Sequence, residues 1–235
     1  RLMNEFRTGV AFVVTRFNLP QAAWDKLVTV TRYYQDQDFE KVLNAVPFDG
    51  GAFQMFWPLI RAEQELKPEM ETAAWNFLYS MADYAAKNDL PGFPSASYDP
   101  TTGDFEGKIG VPALAETRDA LNSRTVSVYA LASAYALAPQ FVLSWLKAIQ
   151  TQYPSVMGPY GFYDSMAMPA SGTIGSPTVG KRVYAIDQGS FLLGLLNNAG
   201  ADFNKYLDTR GYRSAFDGLY DRLQLNLTPV NENLP

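Results

Sequence analysis

The run TVSVYALASAYALAPQFVLSWL, residues 125–146, carries no charged side chain. A membrane helix needs about 20 consecutive apolar residues, so the run is first weighed as a span. Pro139 lies inside it, with Ser127, Ser133, Gln140 and Ser144 along it. Proline removes an intrahelical donor and clashes with the preceding turn. The stretch therefore reads as two buried helices, 126–137 and 139–150, and not as a membrane span.

Working outward, residues 68–88 form the clearest amphipathic helix. Ala74, Phe77, Leu78, Met81 and Ala85 make one stripe, with Glu69, Asn76, Asp83 and Lys87 mostly outside it. Residues 2–17 and 20–34 read as helices, the second with Pro20 in its first turn and Trp24, Leu27, Val28 and Val30 inward. Phe48-Asp49-Gly50-Gly51 is a turn, and 52–62 an apolar helix bent at Pro58. Residues 185–198 read as a buried helix with Gly200 as its C-cap, and 212–225 as a last amphipathic helix. Segments 90–124 and 153–180 are Gly-, Pro- and Ser-rich loops, the first with room for a short hairpin. Loops that long are uncommon unless functional. The expectation is one all-α domain over residues 1–226, followed by a tail, 227–235.

The 235 residues include no His and no Cys, and 18% are charged, against roughly 25% in ordinary globular domains. Thiol nucleophiles, disulfides, zinc fingers and Ser-His-Asp triads are excluded. A metal would need oxygen ligands alone; no metal site and no cofactor is assigned. The net charge of −5 opposes a nucleic-acid partner, which needs a basic stripe. Acid–base chemistry falls to Asp and Glu. The absence of Cys and of an apolar leader after Arg1 leads to the expectation of a processed, periplasmic or extracellular protein.

Between Asp119 and Asp202 the only carboxylates are Asp164 and Asp187. Asp164 sits in Gly158-Pro159-Tyr160-Gly161-Phe162-Tyr163-Asp164-Ser165, and Asp187 opens a buried helix in Tyr184-Ala185-Ile186-Asp187-Gln188-Gly189-Ser190. Each has a bland reading, Asp164 as a turn aspartate and Asp187 as a helix cap favoured by the macrodipole. Against these, acids among aromatic and apolar groups have raised pKa values, which suits a general acid. Two carboxylates with aromatic platforms are the layout of a glycoside hydrolase. Trp57, Phe93, Tyr98, Tyr160, Phe162 and Tyr163 are candidate sugar platforms, with Gln188 for hydroxyls. Phe53, Phe56, Trp75 and Trp145, inside helices, are expected in the core. Glu5 and Arg7 form a third candidate, or a solvated surface pair. Phe105-Glu106-Gly107-Lys108 reads as a solvated turn.

The ordered motifs Asn4-Glu5-x-Arg7, Phe48-Asp49-Gly50-Gly51-Ala52-Phe53, Gly92-Phe93-Pro94-Ser95-Ala96-Ser97, Ile109-Gly110-Val111-Pro112, Tyr160-Gly161-Phe162-Tyr163-Asp164 and Ile186-Asp187-Gln188-Gly189 resemble the bacterial glucoamylase-like family. That family includes endo-β-1,2-glucanases and is related to the transglycosylating domain of cyclic β-1,2-glucan synthases. The resemblance runs from about Asn4 to Leu223. It implies an (α/α)6 toroid, incomplete in this chain, that hydrolyses or transfers β-linked glucan without a cofactor. It implies Asp164 as general acid, Asp187 as a cleft acid positioning sugar or water, and Glu5 as a further acid. Arg7 and Ser97 join the substrate-binding candidates. Relatives have a further helical portion ahead of this module, so an upstream fragment or another chain is an expected partner beside the saccharide. Where transglycosylating relatives carry a Glu nucleophile, this chain has Ser95 and Ala96, and where some relatives have an acid it has Gln54. Inversion is therefore the expected outcome. The competing expectations are a non-catalytic glucan-binding or structural subunit and, third, a polysaccharide lyase.

Overall fold

A computed structural model describes residues 1–173, 175–230 and 234. It overturns the all-α, toroid-like expectation: the chain is 46% helix and 15% strand, a mixed α/β fold with, among the described residues, one four-stranded sheet and three two-stranded ones.

The first departure is at residues 20–34. Only α2 (Ala22–Asp25) forms there, after α1 (Arg7–Arg16), and the chain then extends as β1 (Val30–Gln35). β1 pairs antiparallel with β2 (Lys41–Val46), in register from Val30 opposite Val46 to Gln35 opposite Lys41. Val28, Thr29, Val30 and Thr31 are a β-branched run followed, after Arg32, by two tyrosines. Such side chains lose rotamer freedom in a helix and pack well on a pleated surface. The turn is closed by Asp36, whose Oδ1 accepts the Asp38 and Glu40 amides at 2.9 Å.

α3 (Ala52–Phe56) runs into a 3₁₀ turn, Trp57–Ile60, at the expected proline. α4 (Pro68–Lys87) has its apolar stripe buried as expected. Asn76 and Asp83, expected outside, are buried too, because the β1–β2 hairpin and residues 225–230 cover that face. Asn76 Nδ2 donates to the Leu43 and Thr228 carbonyls and its Oδ1 accepts the Val230 amide, which docks the start of the expected tail. Residues 231–233 and 235 of that tail lie outside the described residues. Asp83 accepts the Tyr34 hydroxyl at 2.6 Å and pairs with Lys87.

The expected loops hold most of the remaining strands. β3 (Phe93–Pro94) is followed by the hairpin of β4 (Ser97–Asp99) and β5 (Asp104–Glu106). β6 (Thr125–Ser127) takes the first residues of the uncharged run, and α5 (Val128–Ser133) and α6 (Pro139–Gln152) take the rest. A small hairpin, β7 (Met157–Gly158) and β8 (Gly161–Phe162), leads to β9 (Ser165–Ala167) and β10 (Thr178–Gly180). The four-stranded antiparallel sheet has the order β10-β9-β6-β3, with Gly180, Ser165, Ser127 and Phe93 in one row.

α7 (Ala185–Leu196), α8 (Ala199–Arg210) and α9 (Arg213–Asp221) close the chain. Gly200 lies inside α8, and the left-handed cap of α7 is Asn197 at φ +49°, a conformation Asn tolerates through its short polar side chain. The core centres on an aromatic chain from Phe77 through Phe56 and Phe93 to Trp145, with centroids 5.2–6.3 Å apart. A Cβ at Gly194 would run into the Ala132 carbonyl, so glycine lets α7 lie directly against α5. Among the described residues, no helix is long and apolar enough to cross a membrane.

Candidate active site

A pocket of about 240 Å³ is built from four directions. Glu5 comes from the turn before α1, Asp49 from the turn before α3, Tyr129 from α5, and Asp187 from the first turn of α7. Phe53, Gln54, Ala96, Phe105, Gly107 and Ile186 complete the wall. No Lys or Arg is among the lining residues.

Asp187 and Asp164 meet, and they meet each other. Asp164 directly precedes β9. Its amide donates to the Arg182 carbonyl at 3.1 Å, its carbonyl accepts the Ser127 hydroxyl at 2.6 Å, and its Oδ2 accepts the Tyr98 amide at 2.6 Å. The sheet therefore holds the Asp164 backbone while β4 holds its carboxylate. Its other oxygen, Oδ1, and Oδ2 of Asp187 are both buried without a donor among the described residues. Burial, and the Asp164 carboxyl within hydrogen-bonding reach, raise the Asp187 pKa from 3.8 to about 9. Burial and the neighbouring acid thus outweigh the helix N-terminus, which favours the anion. One proton held between the carboxyls satisfies both orphan oxygens, and of the two residues Asp187 is the one that lines the pocket. This is a touching pair, not two acids on either side of a sugar.

A second acid group faces the same pocket. Asp49 is pushed up to about 6 by burial, with the Glu5 charge adding to the rise. Its Oδ1 accepts the Gly51 amide at 2.9 Å. Glu5 lines the pocket, and its Oε2 is buried with no donor among the described residues. The Asp49 turn is locked by the Ile109-Gly110-Val111 segment: a Cβ on Gly110 would strike the Asp49 carbonyl, and Gly50 sits at φ +68° against Val111. Two motifs apart in sequence interlock here, and glycine is required by contact.

Tyr129 is fully engaged. The Phe53 amide donates to Ser95 Oγ at 3.0 Å, Ser95 Oγ and the Tyr129 hydroxyl lie 2.9 Å apart, and the hydroxyl donates to the Ala96 carbonyl at 2.6 Å. Burial first, then the charge of Asp187, raises its pKa well above 10, so it is no base at neutral pH.

The other sequence candidates are placed as follows. Arg7 is 1% exposed and is not among the residues that line the pocket. It bonds Glu65 at 2.8 Å and the Gln54 and Met55 carbonyls at 3.1 and 2.7 Å, which fixes the segment carrying Glu5. Ser97 is buried on the Ser95 carbonyl. Tyr98 serves through its backbone, with Arg182 over its ring. Gln188 ties α7 to the Phe162 carbonyl at 2.9 Å. Tyr160 is 82% exposed at the β7–β8 tip, and the Tyr163 ring lies against Gly158. Phe93 is buried. Trp57 donates to Ser190 Oγ and stacks beside Phe53, which lines the pocket, while Phe56 is core.

Asp49, Tyr129 and Phe105 are lining residues that sequence reasoning did not single out. Asp49 was visible only as part of a Gly-rich turn and Tyr129 as one ring in an apolar run. Phe105 and Gly107 belong to the expected solvated turn, but β5 brings them to the pocket, with the Phe105 ring edge-on to Tyr184.

The sequence matches the glycoamylase family, described as "Putative glucoamylase", over residues 81–202, a span that contains Asp164 and Asp187. An endo-β-1,2-glucanase of Talaromyces funiculosus, solved with sophorose, is similar at 15% identity and TM-score 0.64, covering 92% of this chain and 43% of that one. A Bacteroides caccae protein described in the same words as the family gives 16%, 0.64, 92% and 54%. An endo-β-1,2-glucanase of Chitinophaga pinensis, in complex with sophorotriose and glucose, gives 12%, 0.59, 85% and 49%. At these identities the likeness is one of fold, and the chain spans about half the length of each. No curated protein matches the sequence.

Proposed function

From the premise that this chain belongs to the glycoamylase family, we propose that it serves a glycoside hydrolase acting on β-glucan, with β-1,2-linked chains as first choice. The observation that carries the reading is Asp187 at the wall of an acid-lined, cation-free pocket, with the Asp164 carboxyl against it. A carboxyl that keeps its proton at neutral pH can deliver it to a glycosidic oxygen. Asp187 makes that delivery, and Asp164, held by the Tyr98 amide, raises the pKa of Asp187 and sets its orientation. Glu5, another acid of the lining, activates the water.

The same wall supports inversion as the outcome. Ala96 lines the pocket with a methyl group and Ser95 is spent on Phe53 and Tyr129, so that loop offers no nucleophile. Inverting pairs stand roughly 6.5–9.5 Å apart, and the roles pair Asp187 with Glu5, not with Asp164. A lyase is disfavoured: the pocket's tyrosine cannot lose its proton, and no cation lines the wall to neutralise an acidic sugar. A periplasmic or extracellular setting suits a polysaccharide substrate and a chain without cysteine.

The test is incubation with linear β-1,2-, β-1,3- and β-1,4-glucans, reading reducing ends and the product anomer by NMR. Release of one glucan's fragments as the inverted anomer, lost in Glu5→Gln and Asp187→Asn, is expected. Saccharide binding without release from any glucan would make the chain a binding subunit. Neither binding nor release would refute the reading.

A further inference from the structure

A second cavity, of about 350 Å³, is lined by Thr8, Gly9, Phe12, Arg61, Ala199 and Phe203, each some residues further along the chain than a residue lining the reaction pocket. Glu5 stands in the turn before α1, and Thr8, Gly9 and Phe12 are on α1. Through α3 and its 3₁₀ extension the chain passes from Phe53 to Arg61, and from α7 into α8 it passes from Asp187 to Ala199 and Phe203. Aromatic rings lead from one lining towards the other: Phe53 and Trp57 have centroids 5.2 Å apart, and the Arg61 guanidinium sits 3.1 Å from the Trp57 centroid. Phe53, Trp57 and Arg61 are spaced four apart, so the helical stretch between Phe53 and Arg61 is about 12–14 Å long.

Arg61 is the unusual member. It is half-buried, and among the described residues its guanidinium has no salt bridge. Burial lowers its pKa with no acid near enough to oppose that, and Glu63, close in sequence, bonds Asn204 instead. A planar cation laid on an indole, with its nitrogens free for bidentate contacts, is suited to a carboxylate or phosphate. The reaction pocket, by contrast, is lined by acids and repels anions.

We propose that the cavity at Arg61 is a subsite for an anionic group, carboxylate or phosphate, carried on a saccharide that lies along Phe53 and Trp57, away from the bond being cleaved. The inference rests on the saccharide reading above and narrows its substrate class. The chain selects a glucan that is neutral at the reacting unit and charged some units away.

The test uses three β-1,2-gluco-oligosaccharides of equal length: the neutral parent, one with its reducing end oxidised to a carboxylate, and one with a glucuronosyl unit at the other end. Binding is measured by calorimetry at low salt and in 0.5 M NaCl. Wild type is expected to bind one charged probe about tenfold tighter than the parent, consistent with one charge-assisted contact, and to lose that margin in high salt. Arg61→Gln abolishes the margin and Arg61→Lys keeps part of it. Equal binding of all three probes by wild type overturns the subsite alone, and so does a margin that Arg61→Gln leaves intact. No binding of any probe overturns the saccharide reading and this inference with it.

Discussion

Replacing Asp187 with asparagine probes the shared proton without reference to any substrate. Asp187 titrates at an ordinary 3.8 when unfolded and at about 9 in the folded chain. Between those values the folded state keeps a proton that the unfolded state has released. Stability is therefore full below about pH 3.8, falls by about 1.36 kcal/mol per pH unit above it, and levels off past about 9. The window from about pH 6.5 to 8.5 isolates this group. The chain has no His and no Cys to titrate there, and Asp49, at about 6, has lost most of its proton already. Over that window wild type should lose about 2–3 kcal/mol, or roughly 5–10 °C in Tm for a chain of this size. The D187N amide carries no titrating proton and can donate to Asp164 Oδ1. Its melting temperature should stay nearly flat across the window and exceed wild type at the alkaline end. Parallel curves for the two proteins, by scanning calorimetry in matched buffers, would refute the shared proton and remove the acid from the proposed reaction.

Arg7→Leu should cost about 3–5 kcal/mol by stranding the buried Glu65 carboxylate, and urea unfolding will show it as a structural anchor. Tyr129→Phe should cost about 1–3 kcal/mol by leaving the Ala96 carbonyl and Ser95 without their hydroxyl partner; glucan release should persist in the folded fraction, whereas its complete loss would revive a tyrosine base. Gly110→Ala drives a methyl into the Asp49 carbonyl and should cost about 1–3 kcal/mol, with a drop in activity beyond that of an equally destabilised variant altered far from the pocket.

Helix 68–88 could be read from sequence because twenty residues repeat one apolar stripe and every turn restates the period. The uncharged run at 125–146 was readable as buried and as broken near Pro139, but Thr125, Val126 and Ser127 were not readable as a strand. Three residues contain no period, and their partners, Ser165 to Ala167, lie some forty positions away. Residues 20–34 failed for another reason. Apolar spacing suggested a helix, and the β-branched run, once paired with Lys41–Val46, outweighed it. The same hairpin then buried Asn76 and Asp83, whose polarity had placed them outside.

What the amino acids determined unaided was chemical. A chain without imidazole or thiol must use carboxylates, and two isolated aspartates among tyrosines were the place to look. Tertiary structure alone decided that these two touch, that Glu5 and Asp49 share their pocket, and that Arg7 does not. Desolvation and Coulomb interaction depend on separation through space and on what excludes water, and neither quantity is a property of spacing along the chain.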